Sequence, residues 1–179
     1  IPDVLTERLI LTKLVKKYAF DMYEYASRDD VTRYLTWSPH PDIDYTRKFI
    51  RRIGRLYKKG RWRDWAIIEK ASGRMIGTIG FTRLDAFNRV GEIGYCLNPD
   101  YCNRGFTTEA AAALVKFGFG TLRLNRIEGR CIDENIRSRR VMEKVGMKYD
   151  GTLREAMYIK GQYRNIVVMS MLAGDLNVN

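Results

Sequence analysis

The chain has one histidine, His40, and three cysteines, Cys96, Cys102 and Cys131. An odd number of thiols with no C-x-x-C spacing argues against a disulfide framework or a cysteine-built zinc site, so all three are read as free thiols and no metal is expected. His40 lies between Pro39 and Pro41, where a solvent-exposed turn is the expectation and a catalytic base is not. No apolar run reaches the roughly 18 residues of a membrane span, and the N-terminal residues lack the basic segment and apolar core of a signal peptide. The expected setting is therefore cytoplasmic, with no membrane partner. There are only four prolines, and no low-complexity stretch or internal repeat divides the chain, so residues 1–179 are expected to form a single domain.

Acidic residues are also in short supply. Against 32 Lys and Arg stand 21 Asp and Glu, a net charge of +11 that implies an anionic partner. The basic residues are spread along the chain, with no zinc spacing, basic heptad region or aromatic RNP-like strand to organise base recognition. Direct nucleic-acid binding is disfavoured on that ground, although the charge alone leaves it open, and a polyanionic small ligand explains the charge equally well.

What the chain does have is a sizeable core in prospect, 45% apolar and 12% aromatic, and one suggestive stretch, Asn98 to Gly120, NPDYCNRGFTTEAAAALVKFGFG. A strand pattern from Val90 to Leu97 enters it, a short loop at Arg104-Gly105 follows, and strong helix formers begin at Thr107. The first turn of a helix has backbone N–H groups without intrahelical acceptors, which together with the macrodipole favour an anion. Gly105 lets that backbone approach a ligand closely. Taken alone, the same loop reads as an ordinary turn before a helix.

The remaining pattern supplies a frame. Thr6 to Leu14 reads as a first strand and Tyr18 to Ser27 as a short helix; SPHPDID is loop; Asp44 caps a helix carrying Tyr45, Phe49, Ile53, Leu56 and Tyr57 on one face and a basic run on the other, ending at Gly60. Trp62–Glu69 and Met75–Asp85 are strands turned at Ala71-Ser72-Gly73. Glu92, Gly94 and Cys96 fall on one face of the next strand, and Ile93, Tyr95 and Leu97 on the other. Arg126–Ile132 is a strand, followed by Asp133-Glu134-Asn135 and a helix with Ser138, Val141, Met142 and Val145 in one stripe, stopped by Gly146. Thr152–Ile159 and Tyr163–Leu172 close the chain as strands turned at Lys160-Gly161.

Two runs carry a family likeness. GEIGYCLNPDYCNRGFTTEA, Gly91 to Ala110, resembles the acetyl-CoA loop of the GNAT N-acetyltransferases, and DENIRSRRVMEKVGM, Asp133 to Met147, resembles the next segment of their RimJ/RimL branch, which acetylates protein N-termini. TERLILTKL, VTRYLTWSP and GQYRNIVVMSML extend the resemblance over nearly the whole chain. The resemblance implies an α/β (α+β) fold, a mixed, mostly antiparallel central sheet flanked by helices, and acetyl-CoA as donor. It places the cofactor against Asn103, Arg104, Gly105, Phe106, Thr107 and Thr108, with the Leu97 N–H on the thioester oxygen and Asn135 on the pantetheine arm. As a bare sequence feature, Asn135 is equally a helix N-cap.

Acetyl transfer to an amine needs a neutral nucleophile, a stabilised oxyanion and a tolerable thiolate leaving group. Glu92 is the first candidate for the base, and an exposed strand carboxylate is the equal alternative. Ser138 matches the serine that the branch places near the departing thiolate. The tyrosine of many other GNAT enzymes would fall at Met142, which donates no proton, leaving Ser138 or water. Cys102 stands where the branch usually has tryptophan, and Asn165 where it commonly has aspartate; Cys102 is read as packing under the loop. Tyr34, Trp37, Arg154 and Tyr158 are expected to flank the acceptor. The acceptor implied is a peptide or protein N-terminus of ribosomal-protein type, with a small-molecule amine, or an RNA-binding module with a decayed cofactor site, as alternatives.

Overall fold

In the computed structural model, residues 1–60 and 64–178 are described. Eight strands form one sheet: β1 (Val4–Leu5), β2 (Leu9–Thr12), β3 (Asp64–Glu69), β4 (Met75–Asp85), β5 (Val90–Leu97), β6 (Arg126–Ile132), β7 (Lys148–Ile159) and β8 (Gln162–Leu172), ordered β1-β2-β3-β4-β5-β6-β8-β7. Every pairing is antiparallel except β5 with β6. A parallel neighbour needs a long crossover, and the helix α4 (Phe106–Gly120) provides it.

Side-chain alternation feeds two cores. Trp65 and Ile67 of β3 join Ile79, Phe81, Ile93 and Leu114 under α4 and the helix α5 (Ile136–Val145), whereas Ala66 and Ile68 join Tyr25, Ile50 and Ile53 under α1 (Ala19–Ala26) and α3 (Ile43–Lys58). Fully burying a side chain of this size stabilises by about 1.5–3 kcal/mol, so both faces hold the sheet. At Gly118 a Cβ would stand 2.6 Å from Ile127 Cδ1, so the missing side chain sets how closely α4 lies on the sheet.

Several expected boundaries shift. The strand expected over Thr6–Leu14 is confined to β2, Leu9–Thr12, because Thr6 turns the chain before it, its hydroxyl accepting from the Leu9 N–H at 2.9 Å. The cap of α3 is Asp42 rather than Asp44: only Asp42 has the extended backbone a cap requires, and its carboxylate accepts from the Tyr45 N–H at 2.7 Å. Asp44 sits inside the first turn, paired with Arg47 at 2.9 Å. Asp29–Thr32 closes into a short helix, α2. The strand expected from Trp62 is described from Asp64; Trp62 and Arg63 lie outside the described residues. β7 begins at Lys148, four residues before the expected start at Thr152.

The pairing of β5 with β6 runs from Val90↔Arg126 to Ile93↔Gly129 and stops there. β5 continues to Leu97 against β4, and β6 continues to Ile132 against β8. The middle of the sheet is therefore split on the side where both strands end.

Candidate functional site

A cleft of about 1040 Å³ passes through this split. Thr107 of α4 and Asn135, Ser138 and Met142 at α5 line one side; Tyr25, Phe49, Asp64 and Thr78 line the other. The Asn98 N–H donates to Ile76 O at 2.7 Å. Because successive N–H groups along a strand point to opposite edges, the Leu97 N–H faces away from β4 and into the split.

The loop before α4 has the geometry of an anion cradle. Asn103 and Gly105 adopt left-handed φ of 62° and 80°, and Gly105 caps the helix without a side chain. The first intrahelical bond runs from the Glu109 N–H to Gly105 O, leaving the N–H groups of Phe106, Thr107 and Thr108 for another acceptor. Glu109 is an acid in this first turn, but it is already occupied. It takes the Thr6 hydroxyl at 2.6 Å, the Arg8 N–H at 2.8 Å and Arg8 Nε at 2.7 Å. Partial burial raises its carboxyl, and these donors more than offset that, holding it below the usual carboxylate range. Arg8 also donates through Nη1 to Arg104 O at 2.9 Å, so one guanidinium fixes both the acid and the loop. The Arg104 side chain turns outward, over Tyr101 and Phe106 and 3.4 Å from Glu69.

Asn135 caps α5, its Oδ1 accepting from the Ser138 N–H at 3.2 Å, which leaves its Nδ2 for another partner. Ser138 is reached across the split by Tyr95, whose hydroxyl lies 2.9 Å from Ser138 O and 3.0 Å from its Oγ. Burial pushes the Tyr95 phenol and the Cys131 thiol up, so both stay protonated near neutrality. Cys102 lines the cleft, and burial raises its thiol as well, which suits packing and not nucleophilic attack. Met142 is buried against Gly129.

The other expected residues divide. Tyr34 and Trp37 line the cleft. Arg154 and Tyr158 do not: they are exposed on the edge strand β7, beyond β8, and Tyr158 packs on Tyr163 with ring centroids 5.0 Å apart. Glu92 is held beside the cleft, accepting from the Thr82 hydroxyl at 2.9 Å and paired with Arg130 Nε at 3.3 Å; Thr82 and Arg130 face the cavity in its place.

Three features went unread in the sequence. His40 is buried, not an exposed turn: Nδ1 lies 2.8 Å from Thr46 Oγ1, the ring packs among Trp37, Tyr45 and Phe49, and burial lowers its pKa. Aromatics three before and five and nine after it were the available signal. Tyr95 shares a strand face with Leu97, which placed it near the split. Asp64 opens the apolar run DWAIIE, and burial pushes its carboxyl up to about 6.

Residues 8–148 match the model of the acetyltransferase (GNAT) domain family. The uncharacterized N-acetyltransferase p20 of Bacillus licheniformis is 34% identical over 167 residues, covering 93% of this chain and 94% of that protein. A GNAT-family acetyltransferase structure from Bacillus anthracis superposes with a TM-score of 0.86 at 29% identity, covering 97% of this chain and 99% of the other. The ribosomal-protein-serine acetyltransferase of Escherichia coli is 26% identical over 121 residues, 68% of this chain and 66% of its own length.

Proposed function

The chain belongs to the GNAT acetyltransferase family, and on that premise we propose that this acetyl-CoA-dependent N-acetyltransferase modifies the α-amino group of a peptide or protein, of ribosomal-protein type. Bound acetyl-CoA supplies the acetyl group activated as a thioester. The residues present fit such a ligand: two left-handed residues and three N–H groups without an acceptor among the described residues form an anion cradle, and the acid of the helix's first turn, Glu109, is already paired with Arg8.

The chain's own groups divide the work. The backbone of Asn103, Arg104 and Gly105 and the N–H groups of Phe106, Thr107 and Thr108 would hold the pyrophosphate. Asn135 Nδ2 would donate to the pantetheine arm. The Leu97 N–H, free of β4, would be a preorganised donor to the oxygen where negative charge develops. Ser138, oriented by Tyr95, would offer its hydroxyl to the thiolate. Tyr34 and Trp37 flank the entering amine.

One observation carries the choice of acceptor: Glu92, the expected base, is tied to Thr82 and Arg130 beside the cleft. Proton loss to water is enough only for an amine of low pKa. An α-amino group, at about 7.7–8.0 against about 10.4 for lysine, is such an amine. The relative named for a ribosomal protein points the same way. Another Escherichia coli relative at 26% identity is named a spermidine N(1)-acetyltransferase, which keeps a small amine as the second reading. Incubation with labelled acetyl-CoA, a peptide library and an amine panel, read by mass spectrometry, is expected to place the label on N-termini. Label confined to small amines rejects the acceptor and leaves the reaction standing.

A further inference from the structure

The outer side of α3 is a charged surface that the transfer just described does not use. From Arg47 to the end of the helix every exposed residue is a cation: Arg47, Lys48, Arg51, Arg52, Arg55 and Lys58. The face runs roughly 16 Å at 1.5 Å per residue. The Leu14 N–H donates to the Tyr57 hydroxyl of α3 at 3.0 Å, which brings the exposed Lys13, Lys16 and Lys17 to the same side of the molecule. Among the described residues only Arg47 of this helix face is paired with a carboxylate, that of Asp44, and residues 61–63, which follow the helix, contain no acid.

Like charges one helical turn apart repel. Arg47 with Arg51, Arg51 with Arg55, and Lys48 with Arg52 each cost the helix about 0.2–0.5 kcal/mol, a cost that a polyanion laid along the face would reverse. The cofactor is not that polyanion, because its cradle at α4 lies across the cleft and α4 packs on the opposite face of the sheet. Nor does the helix suit a bilayer: its Ile50 and Ile53 are buried in the core, and no apolar residue stands among the exposed cations. The face does meet the acceptor side of the cleft, where Arg52 stacks on Phe49 at 5.4 Å and both line the cavity with Tyr45.

Building on the ribosomal-protein type of acceptor, we propose that the cationic face of α3 docks on the phosphate backbone of RNA and holds the mouth of the cleft toward a protein N-terminus displayed on that RNA. Such a contact follows backbone charge and reads no base edges, so it needs none of the base-reading motifs that the sequence lacks. It also resolves a conflict of sign. A basic protein substrate is repelled by a +11 enzyme, and RNA between the two screens that repulsion.

The test is fluorescence anisotropy of a labelled RNA hairpin with the full chain between about 50 and 200 mM KCl. Six phosphate contacts predict a slope of log K against log salt of about −4 to −5 for the parent. Arg51→Gln/Arg55→Gln/Lys58→Gln, which spares the cleft-lining Arg52, is expected to flatten the slope by about two to three and to lose about tenfold or more in affinity, while its turnover of a free peptide stays within about twofold of the parent's. Lys116→Gln/Arg123→Gln/Lys144→Gln removes the same charge from exposed positions on the α4 and α5 side and is expected to keep the parent slope within about one. Saturating acetyl-CoA is expected to leave the hairpin bound. Equal losses in the two triple variants would reduce the effect to net charge and overturn the proposal. Displacement by acetyl-CoA would place the RNA in the cofactor cradle, and parent binding to phosphatidylserine vesicles but not to the hairpin would assign the face to a membrane; either result also overturns it. None of these readouts involves acetyl transfer, so label confined to small amines would reject the peptide acceptor and leave the docking face to be decided by binding.

Discussion

The Tyr95 hydroxyl bridges the split to Ser138, 2.9 Å from its carbonyl oxygen and 3.0 Å from its Oγ. The bridge joins the strand carrying the Leu97 N–H to the helix carrying the serine. Tyr95→Phe is therefore expected to lower kcat by about three- to tenfold with little change in KM for acetyl-CoA, and to cost about 1–2 kcal/mol in urea unfolding for the polar groups left unpaired. A kcat equal to the parent's removes Tyr95 from the site.

Gly105→Val is expected to abolish detectable acetyl-CoA binding by calorimetry. The position has φ 80°, which a β-branched residue resists, and a Cβ there meets Arg8 Nη2 at 3.3 Å, so the Arg8 guanidinium that braces the loop must shift. Unchanged affinity would reject the cradle.

Arg8→Ala should raise KM for acetyl-CoA by about three- to tenfold while kcat moves less than twofold, since Arg8 braces Arg104 O and neutralises Glu109 without reaching the reacting atoms. Arg8→Lys should recover part of the loss, because one ammonium cannot make both contacts. Equal falls in kcat and affinity would mean that the change is merely destabilising.

Glu92→Gln is expected to leave the shape of the pH–rate profile unaltered, because the carboxylate is held by Thr82 and Arg130 beside the cleft. Loss of the acidic limb in that variant would restore Glu92 as the base.

Asp64 gives a stability prediction with a definite sign. Its carboxyl is raised from 3.8 unfolded to about 6 folded, so the native state pays to ionise it above pH 6, and the penalty fades as pH falls toward 3.8. Asp64→Asn should thus be more stable than the parent by up to about 3 kcal/mol near pH 8, with the gap closing near pH 4. Denaturant unfolding at both pH values checks this; a gap that grows on acidification contradicts it.

Much of the frame was legible from spacing. The strand–loop–helix at Leu97 to Thr107 and the turn at Lys160-Gly161, where both residues adopt positive φ, follow from local pattern. What was not legible is non-local. Arg8 and Glu109 lie 101 residues apart, and no local pattern tells one that the other will hold it. His40 read as a turn because its prolines are adjacent, while the aromatic groups that bury it are Trp37 before it and Tyr45 and Phe49 of the following helix. Arg154 and Tyr158 looked available because they are polar or aromatic on a strand, but strand order sends β7 to the edge. Asn165 shows the reverse: its Nδ2 donates to Asp133 at 3.0 Å, a contact that an aspartate would turn into repulsion.

Because β5 and β6 part above Ile93↔Gly129, the two half-sheets act as arms from a common hinge, one bearing Leu97 and the other leading to Asn135 and Ser138. Four residues of strand make an arm of about 13 Å, so a rotation of about 5° at the hinge shifts its tip by about 1 Å. Misplacements of that size cost up to about a hundredfold in rate. At the hinge, a Cβ on Gly129 would collide with Met142 Sδ. Gly129→Ala would therefore displace the Met142 side chain and press on α5, at the point where the two strands part.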